Sequence, residues 1–160
     1  MSEASPPEAT GRPVAVTVEE VLSTDAEVAR ELARLVTQLS TSAPALTEEQ
    51  VASIVESPAT VLFIARGASG RVVGSLTLVL FRVPSGLRAW IEDVIVDTEE
   101  RGGGIGSALV RAAIERAEDA GARTVDLSSR PSRVEANRLY LKLGFEQRET
   151  NMYRFNLAAG

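Results

Sequence analysis

The stretch Val94-Ile95-Val96-Asp97-Thr98-Glu99-Glu100-Arg101-Gly102-Gly103-Gly104-Ile105-Gly106-Ser107 decides how this chain is read. An apolar, β-branched run leads into a glycine cluster, and the cluster opens a segment with helical spacing. Glycine has no Cβ, so its backbone can approach a ligand closely and turn N–H groups inward. The first amides of a helix lack partners within it, and the macrodipole adds partial positive charge there. Together these features predict an anion site, best suited to a pyrophosphate. Two phosphate motifs fail to match. A P-loop ends in Gly-Lys-Ser/Thr, and Gly106-Ser107-Ala108 lacks the lysine. A dinucleotide fingerprint needs glycine in its sixth place, where counting from Gly102 or Gly104 gives Ser107 or Leu109. The plainer alternative is a glycine-rich turn into a helix with no ligand.

Upstream, Thr60 to Arg66 is a continuous apolar run, and Arg71 to Arg82 alternates through Leu76, Leu78 and Leu80. Leu87 to Asp97 is a third strand. Turns at Gly67-Ala68-Ser69-Gly70 and Pro84-Ser85-Gly86 make the three an antiparallel meander. Farther upstream, Val14 to Val18 reads as a strand and Met1 to about Arg12 as a disordered tail. The pairs Thr24/Glu27, Thr47/Gln50 and Ser132/Glu135 have the spacing of capping boxes, so each predicts a helix start. After Thr24, Val28, Leu32, Leu35, Val36 and Leu39 share one face, which turns Glu27, Arg30, Glu31 and Arg34 mostly to water.

Downstream, Gly104 to Ala120 is helical, with Ile105, Leu109 and Ala112 on one side and Gly121 as terminator. Arg123 to Ser128 is a strand, and Ser132 to Leu143 a helix stopped by Gly144. Phe145 to Thr150 and Met152 to Leu157 read as a final strand pair. The order β-α-α-β-β-β-α-β-α-β-β implies an α+β (mixed α/β) class with at least one parallel pair joined by a crossover. Residues 13–160 are expected to form a single domain.

The chain has 160 residues, 44% hydrophobic and 24% charged, which suits one domain with one core. Its 17 basic and 22 acidic residues give a net charge of −5, against a nucleic-acid binder and mildly for a cationic substrate. There is no cysteine and no histidine. This excludes disulfides, a thiolate nucleophile, a Ser-His-Asp triad and imidazole or thiolate metal ligands. The cysteine count favours a reducing, cytoplasmic setting. No apolar run approaches the roughly 20 residues of a membrane span, and the acidic, Pro-rich start is unlike a signal peptide.

Arg101-Gly102-Gly103-Gly104-Ile105-Gly106 resembles the (Q/R)-x-x-G-x-(G/A) signature of the GNAT family of N-acetyltransferases. A second motif lies in Leu139-Tyr140-Leu141-Lys142-Leu143-Gly144-Phe145, similar to the family's Leu-Tyr-x-x-Leu-Gly-Phe pattern. The resemblance covers about residues 60 to 157, and the element order fits from Val14 on. It implies a central, mostly antiparallel sheet with a splayed parallel pair, flanked by helices. It also implies acetyl-CoA as acyl donor, no metal, and transfer of the acetyl group to a primary amine by direct attack. On this resemblance the backbone of Val94, Ile95 and Val96 holds the pantetheine arm and the thioester carbonyl. The amides from Gly102 through Gly103, Gly104, Ile105 and Gly106 to Ser107 take the pyrophosphate. Arg101 adds a charge contact or shapes the loop, Asn137 bonds the pantetheine, and Tyr140 protonates the departing thiolate. Many relatives carry Asn seven residues before this Tyr, where this chain has Arg133.

An attacking ammonium must first lose a proton. Without histidine, the base is a carboxylate, a water chain or a backbone group. Glu92 is favoured and Asp93 second, with strand alternation placing them on opposite faces. Ser128 and Ser129 are candidate residues of the acceptor cleft, with Arg130 nearby. The acceptor itself is not specified. A non-catalytic acyl-CoA sensor is the rival reading, and a homodimer is frequent in the family. Neither nucleic acid nor membrane is expected as a partner.

Overall fold

A computed structural model describes residues 15–42 and 44–158. Its elements are β1 (Thr17–Glu20), α1 (Ala26–Leu39), α2 (Glu48–Glu56), β2 (Thr60–Arg66), β3 (Val72–Val83) and β4 (Gly86–Val96). A 3₁₀ turn (Thr98–Glu100), α3 (Ile105–Asp119), β5 (Val125–Asp126) and α4 (Val134–Lys142) follow. The sheet runs β1-β2-β3-β4-β5. Its first three pairings are antiparallel, and β4 pairs with β5 in parallel across the α3 crossover. This is the expected mixed architecture. The tail expected at Met1 to Arg12, and Val14 of the first strand, lie outside the described residues. The described chain up to Ser128 forms one compact unit holding the sheet, and the chain from Ser129 forms a second holding α4.

The sheet carries helices on both faces because β2 is apolar on both. Val61, Leu62, Phe63, Ile64 and Ala65 are all buried in succession. Leu62 and Ile64 join Val28, Ala29, Leu32 and Leu35 of α1, Val51 of α2 and Ile95 of β4 in one core cluster. The helix α3 packs on β2, β3 and β4 through a buried line of Ile105, Leu109, Ala113 and Ala117. That line runs through Ala113 rather than the expected Ala112, as a four-residue repeat on a helix requires.

The helix starts divide three ways. At Thr47 both bonds of the capping box form, Gln50 N to Thr47 Oγ1 at 3.2 Å and Thr47 N to Gln50 Oε1 at 2.9 Å. At α1 the cap is Asp25, not Thr24. Its carboxylate accepts from Val28 N at 2.8 Å, while the Thr24 hydroxyl is buried without a partner. A carboxylate makes the stronger bond to an amide and complements the helix dipole, so it displaces the hydroxyl. At α4 the expected Ser132 cap does not form, and Arg133 stands at the cap with no side-chain bond. A turn bond from Arg133 N to Arg130 O at 3.0 Å takes precedence, with Pro131 in the position that prefers it. Gly121 does end α3, at φ 80°.

The expected final strand pair is absent among the described residues. From Glu146 to Ala158 no strand forms, and Tyr153, Phe155 and Leu157 are exposed. Two strands alone are marginal in water, and the polar run Glu146 to Asn151 offers them no apolar face to close on.

Candidate active site

The strand β4 changes character midway. Between Gly86 and Trp90 it lies between two neighbours, β3 and β5, the latter paired at Ala89↔Val125 and Trp90↔Asp126. Beyond Trp90 the β5 side has no strand partner among the described residues. The parallel pair is therefore splayed, and one edge of Ile91 to Val96 presents its backbone groups unpaired by strand. On the β3 side, Thr77 pairs with Glu92 and Ser75 with Ile95. Three steps of β4 oppose two of β3, so one residue bulges out. Asp93 sits in the bulge at φ 48°, a left-handed conformation that Asp tolerates better than most residues.

Glu92 and Asp93, expected on opposite faces of the strand, meet at this bulge, and both are exposed. The Glu92 carboxylate accepts a bond from the Trp90 indole Nε1 at 2.8 Å. Partial burial, reinforced by the charge of Glu92, raises the pKa of Asp93 above the ordinary carboxylate value. Ile95 is a core residue, and Val94 and Val96 are half-buried.

After β4 the chain is tied down before it opens. Asp97 is buried, only 3% exposed. Its backbone N donates to Val73 O at 2.8 Å, and its carboxylate accepts from Arg34 Nη1 at 2.6 Å and Glu99 N at 3.2 Å. Arg34 Nη2 also donates to Val72 O at 2.8 Å and to Glu31 at 3.2 Å. Thr98 N donates to Gln38 Oε1 at 3.0 Å. Burial opposes ionisation of Asp97, but the bonds from Arg34 and Glu99 outweigh it and hold its pKa below the ordinary value. Burial likewise works against the Arg34 guanidinium, and its bond to Asp97 reverses the balance and raises its pKa. Arg34 therefore does not face water as its helical phase suggested. Helical phase alone carries no signal for this contact, since Asp97 lies 63 residues away.

Beyond the 3₁₀ turn the loop is open. Gly102 and Gly104 stand at φ +86° and +81°, where side chains are strained. A Cβ on either would meet nothing within 4 Å, so the glycines serve conformation and leave space in front of the loop. Gly104 begins α3 with no side-chain cap. The first helical bond is Ala108 N to Gly104 O at 3.0 Å, so the amides of Ile105, Gly106 and Ser107 have no helical acceptor. The Ile105 side chain is buried and anchors this end of α3. It is received by Gly74 of β3, where a Cβ would lie 2.9 Å from Ile105 Cγ2 and 3.1 Å from Leu109 Cδ1. Sequence reading passed over Gly74, although a glycine inside a strand often marks such an approach.

The second unit carries the other motif. Tyr140 is buried, with Phe145 edge-on to its ring at 5.9 Å between centroids. Burial raises the phenol pKa, with the charge of Arg133 opposing. Asn137 Nδ2 donates to Arg130 O at 3.0 Å, so one half of its amide holds the turn before α4. Ser129 Oγ is buried without a partner and Ser128 is exposed.

A shallow cavity of about 350 Å³ lies at the opposite end of β4, lined by Ser85, Arg88, Arg123 and Thr124. Among the described residues, no cluster of three or more acidic residues could hold a metal ion. None of their helices is long and apolar enough to cross a membrane.

The sequence model of the acetyltransferase (GNAT) family matches residues 28–145. A glucosamine 6-phosphate N-acetyltransferase of Oryza sativa is 32% identical over 136 residues, 79% of this chain and 80% of that protein. An uncharacterised N-acetyltransferase of Methanocaldococcus jannaschii is 43% identical over 61 residues, which is 38% of this chain and only 27% of that protein. Among solved structures, an acetyltransferase of Trypanosoma brucei superposes with a TM-score of 0.73 at 27% identity, covering 89% of this chain and all of that one. An aminoglycoside acetyltransferase from an uncultured soil sample reaches 0.80 at 19% identity, over 89% of this chain and 97% of that one, a likeness of fold.

Proposed function

Since the chain belongs to the GNAT family of acetyltransferases, we propose that it moves an acetyl group from acetyl-CoA to a primary amine. The observation that carries this reading is one continuous path. An unpaired edge of β4 runs through a braced turn into two left-handed glycines and the uncapped start of α3. The free edge at Val94 to Val96 suits an extended amide-bearing arm, which pairs with backbone as a strand would. The amides from Gly102 to Ser107 suit the pyrophosphate at its end.

The amine nitrogen, once neutral, attacks the thioester carbonyl and forms a C–N bond. The carbonyl electron pair moves to oxygen, where a backbone N–H of β4 stabilises it. Removing one such donor typically costs about 2.7–4 kcal/mol of barrier. Collapse breaks the C–S bond. The thiolate takes a proton from Tyr140, a phenol that is protonated at neutral pH at its ordinary value and whose pKa burial raises further. The nitrogen gives up its second proton, which passes through water to restore the Tyr140 phenol. Glu92, acting through water, removes the proton from the incoming ammonium. It is exposed and oriented by Trp90. Asp93 is the alternative base beside it, and Asn137 offers its free amide oxygen to the pantetheine arm. No metal enters the scheme.

The test is release of free CoA thiol with a panel of amines, alongside calorimetric titration with CoA. The panel should include amino sugars, because one relative is a glucosamine 6-phosphate N-acetyltransferase. Thiol release with at least one amine supports the reading. Tight binding with no release from any amine makes the chain an acyl-CoA sensor instead. Failure to bind CoA overturns the assignment.

A further inference from the structure

We propose that Arg34 and Gln38 of α1 are positioning residues for the anion-binding loop, so that α1 and cofactor binding are coupled. The inference rests on the acetyl-CoA reading above. A loop that offers backbone amides to a pyrophosphate works only if its amides are aimed before the ligand arrives. Within the loop itself, little holds that aim. Gly102, Gly103 and Gly104 carry no side chains, and a Cβ on Gly102 or Gly104 would touch nothing. The constraint must come from the two ends. At the far end, Ile105 is buried under Gly74. At the near end, the contacts that cross to another helix come from α1.

Arg34 makes two bonds there at once. One arm of its planar fork reaches the Asp97 carboxylate at 2.6 Å, and the other reaches Val72 O at 2.8 Å. Asp97 N is itself bonded to Val73 O at 2.8 Å. The fork thus locks the end of β4 to the start of β3. Asp97 then passes the constraint forward, since its second oxygen accepts from Glu99 N at 3.2 Å. One turn along α1, Gln38 accepts from Thr98 N at 3.0 Å. Two side chains on one helix face therefore fix successive residues of the approach to the loop. Arg34 is itself held by Glu31, which also pairs with Arg71 at 3.6 Å. Neither Arg34 nor Gln38 is assigned contact with the cofactor; both act through the backbone that offers the amides.

The experiment compares Arg34→Gln, Arg34→Lys and Gln38→Ala with the wild-type chain in steady-state kinetics with acetyl-CoA and in CoA titration. Arg34→Gln is expected to raise KM for acetyl-CoA and Kd for CoA by about 10-fold, with kcat at saturation within about 3-fold. Arg34→Lys should restore part of the affinity, because it keeps the charge near Asp97 and loses the fork. Gln38→Ala, which removes a single acceptor on the surface, should raise KM by about 2- to 4-fold. Should Arg34→Gln fail to fold, Gln38→Ala still decides the matter. Lowered thermal stability with KM and Kd unchanged would mean a merely structural brace and overturn the inference. If the wild-type chain itself binds no CoA, the proposed function fails and the inference with it. Wild-type binding with both variants unaltered sinks the inference alone.

Discussion

The two halves of β4 are one strand in sequence and two environments in space. From Gly86 to Trp90 the strand is enclosed by β3 and β5, regular and without a bulge. From Ile91 to Val96 it bulges at Asp93, loses its neighbour on one side and leads into the glycine loop. The first half satisfies its backbone within the sheet. The second leaves an edge that a ligand can occupy. A soluble protein ordinarily hides such an edge, because unpaired strand groups invite another chain. Here the edge is short, and it is reached beside two exposed carboxylates that would repel an anionic chain.

The sharpest way to break the comparison is to spoil the open half at its tip. Gly104→Asp places a β-carbon at φ +81° and a negative charge before the amides that, on the proposed function, take a phosphate. Strain of about 1–2 kcal/mol adds to lost dipole attraction and charge repulsion. CoA affinity should fall about 100-fold or more by calorimetry, with the fold kept by circular dichroism. Unchanged affinity would remove the loop from the site.

Tyr140→Phe is expected next in size, and it separates chemistry from binding. Loss of the proton donor should lower kcat about 100-fold while Kd for CoA changes by less than about 3-fold. The pH dependence has a definite sign. An acid must be protonated to act, and burial raises the Tyr140 pKa. Turnover should therefore hold through neutral pH and fall only above the ordinary phenol value of about 10. The Phe variant should lack that alkaline limb. Equal losses in kcat and affinity would make Tyr140 a packing residue.

How much of this was legible beforehand follows the range of each interaction. The meander β2-β3-β4, the crossover helix and the glycine loop were all readable, because each is written in local periodicity or in a turn residue. Thr60–Arg66 was placed to the residue. The bulge at Asp93 was not readable. It arises from the register between Ser75 and Ile95, a relation between strands that alternation along one of them cannot reveal. The Arg34–Asp97 pair was missed for the same reason, since a charged residue near the edge of an apolar helix face reads as solvated. The final strand pair failed in the opposite direction. Alternation at Tyr153, Phe155 and Leu157 has the right local pattern, yet those side chains stand exposed and no strand forms there among the described residues. The backbone path from strand through glycine loop to helix was thus legible as structure, while the side-chain bracing beside it was not.

Gly74→Ala probes what links the halves to α3. The added methyl would meet Ile105 Cγ2 at 2.9 Å and Ile95 O at 3.0 Å. One contact is a side chain that can turn and the other is backbone that cannot, so overpacking should cost about 1–3 kcal/mol in denaturant unfolding. Because Ile105 begins α3, CoA affinity should weaken in step with stability. Lost stability with affinity intact would show that the helix start tolerates displacement.

The smallest effect is expected in the enclosed half, and it makes the comparison exact in both directions. Arg88 lies on β4 beside the shallow cavity, its side chain 46% exposed, and reaches Asp126 at 3.5 Å. An ion pair that long and that wet contributes little, since solvent screens it and two long side chains lose freedom to hold it. Arg88→Ala should shift unfolding by less than about 0.5 kcal/mol and leave both KM and kcat within about 2-fold. What differs along β4 is the backbone, not the side chain. In the enclosed half the backbone is already bonded on both sides, so removing a side chain there exposes nothing that a cofactor could use. A tenfold loss of activity in Arg88→Ala would contradict this. It would mean that the cavity formed with Ser85, Arg123 and Thr124 takes part in the reaction, and that the division of β4 into a structural and a functional half is wrong.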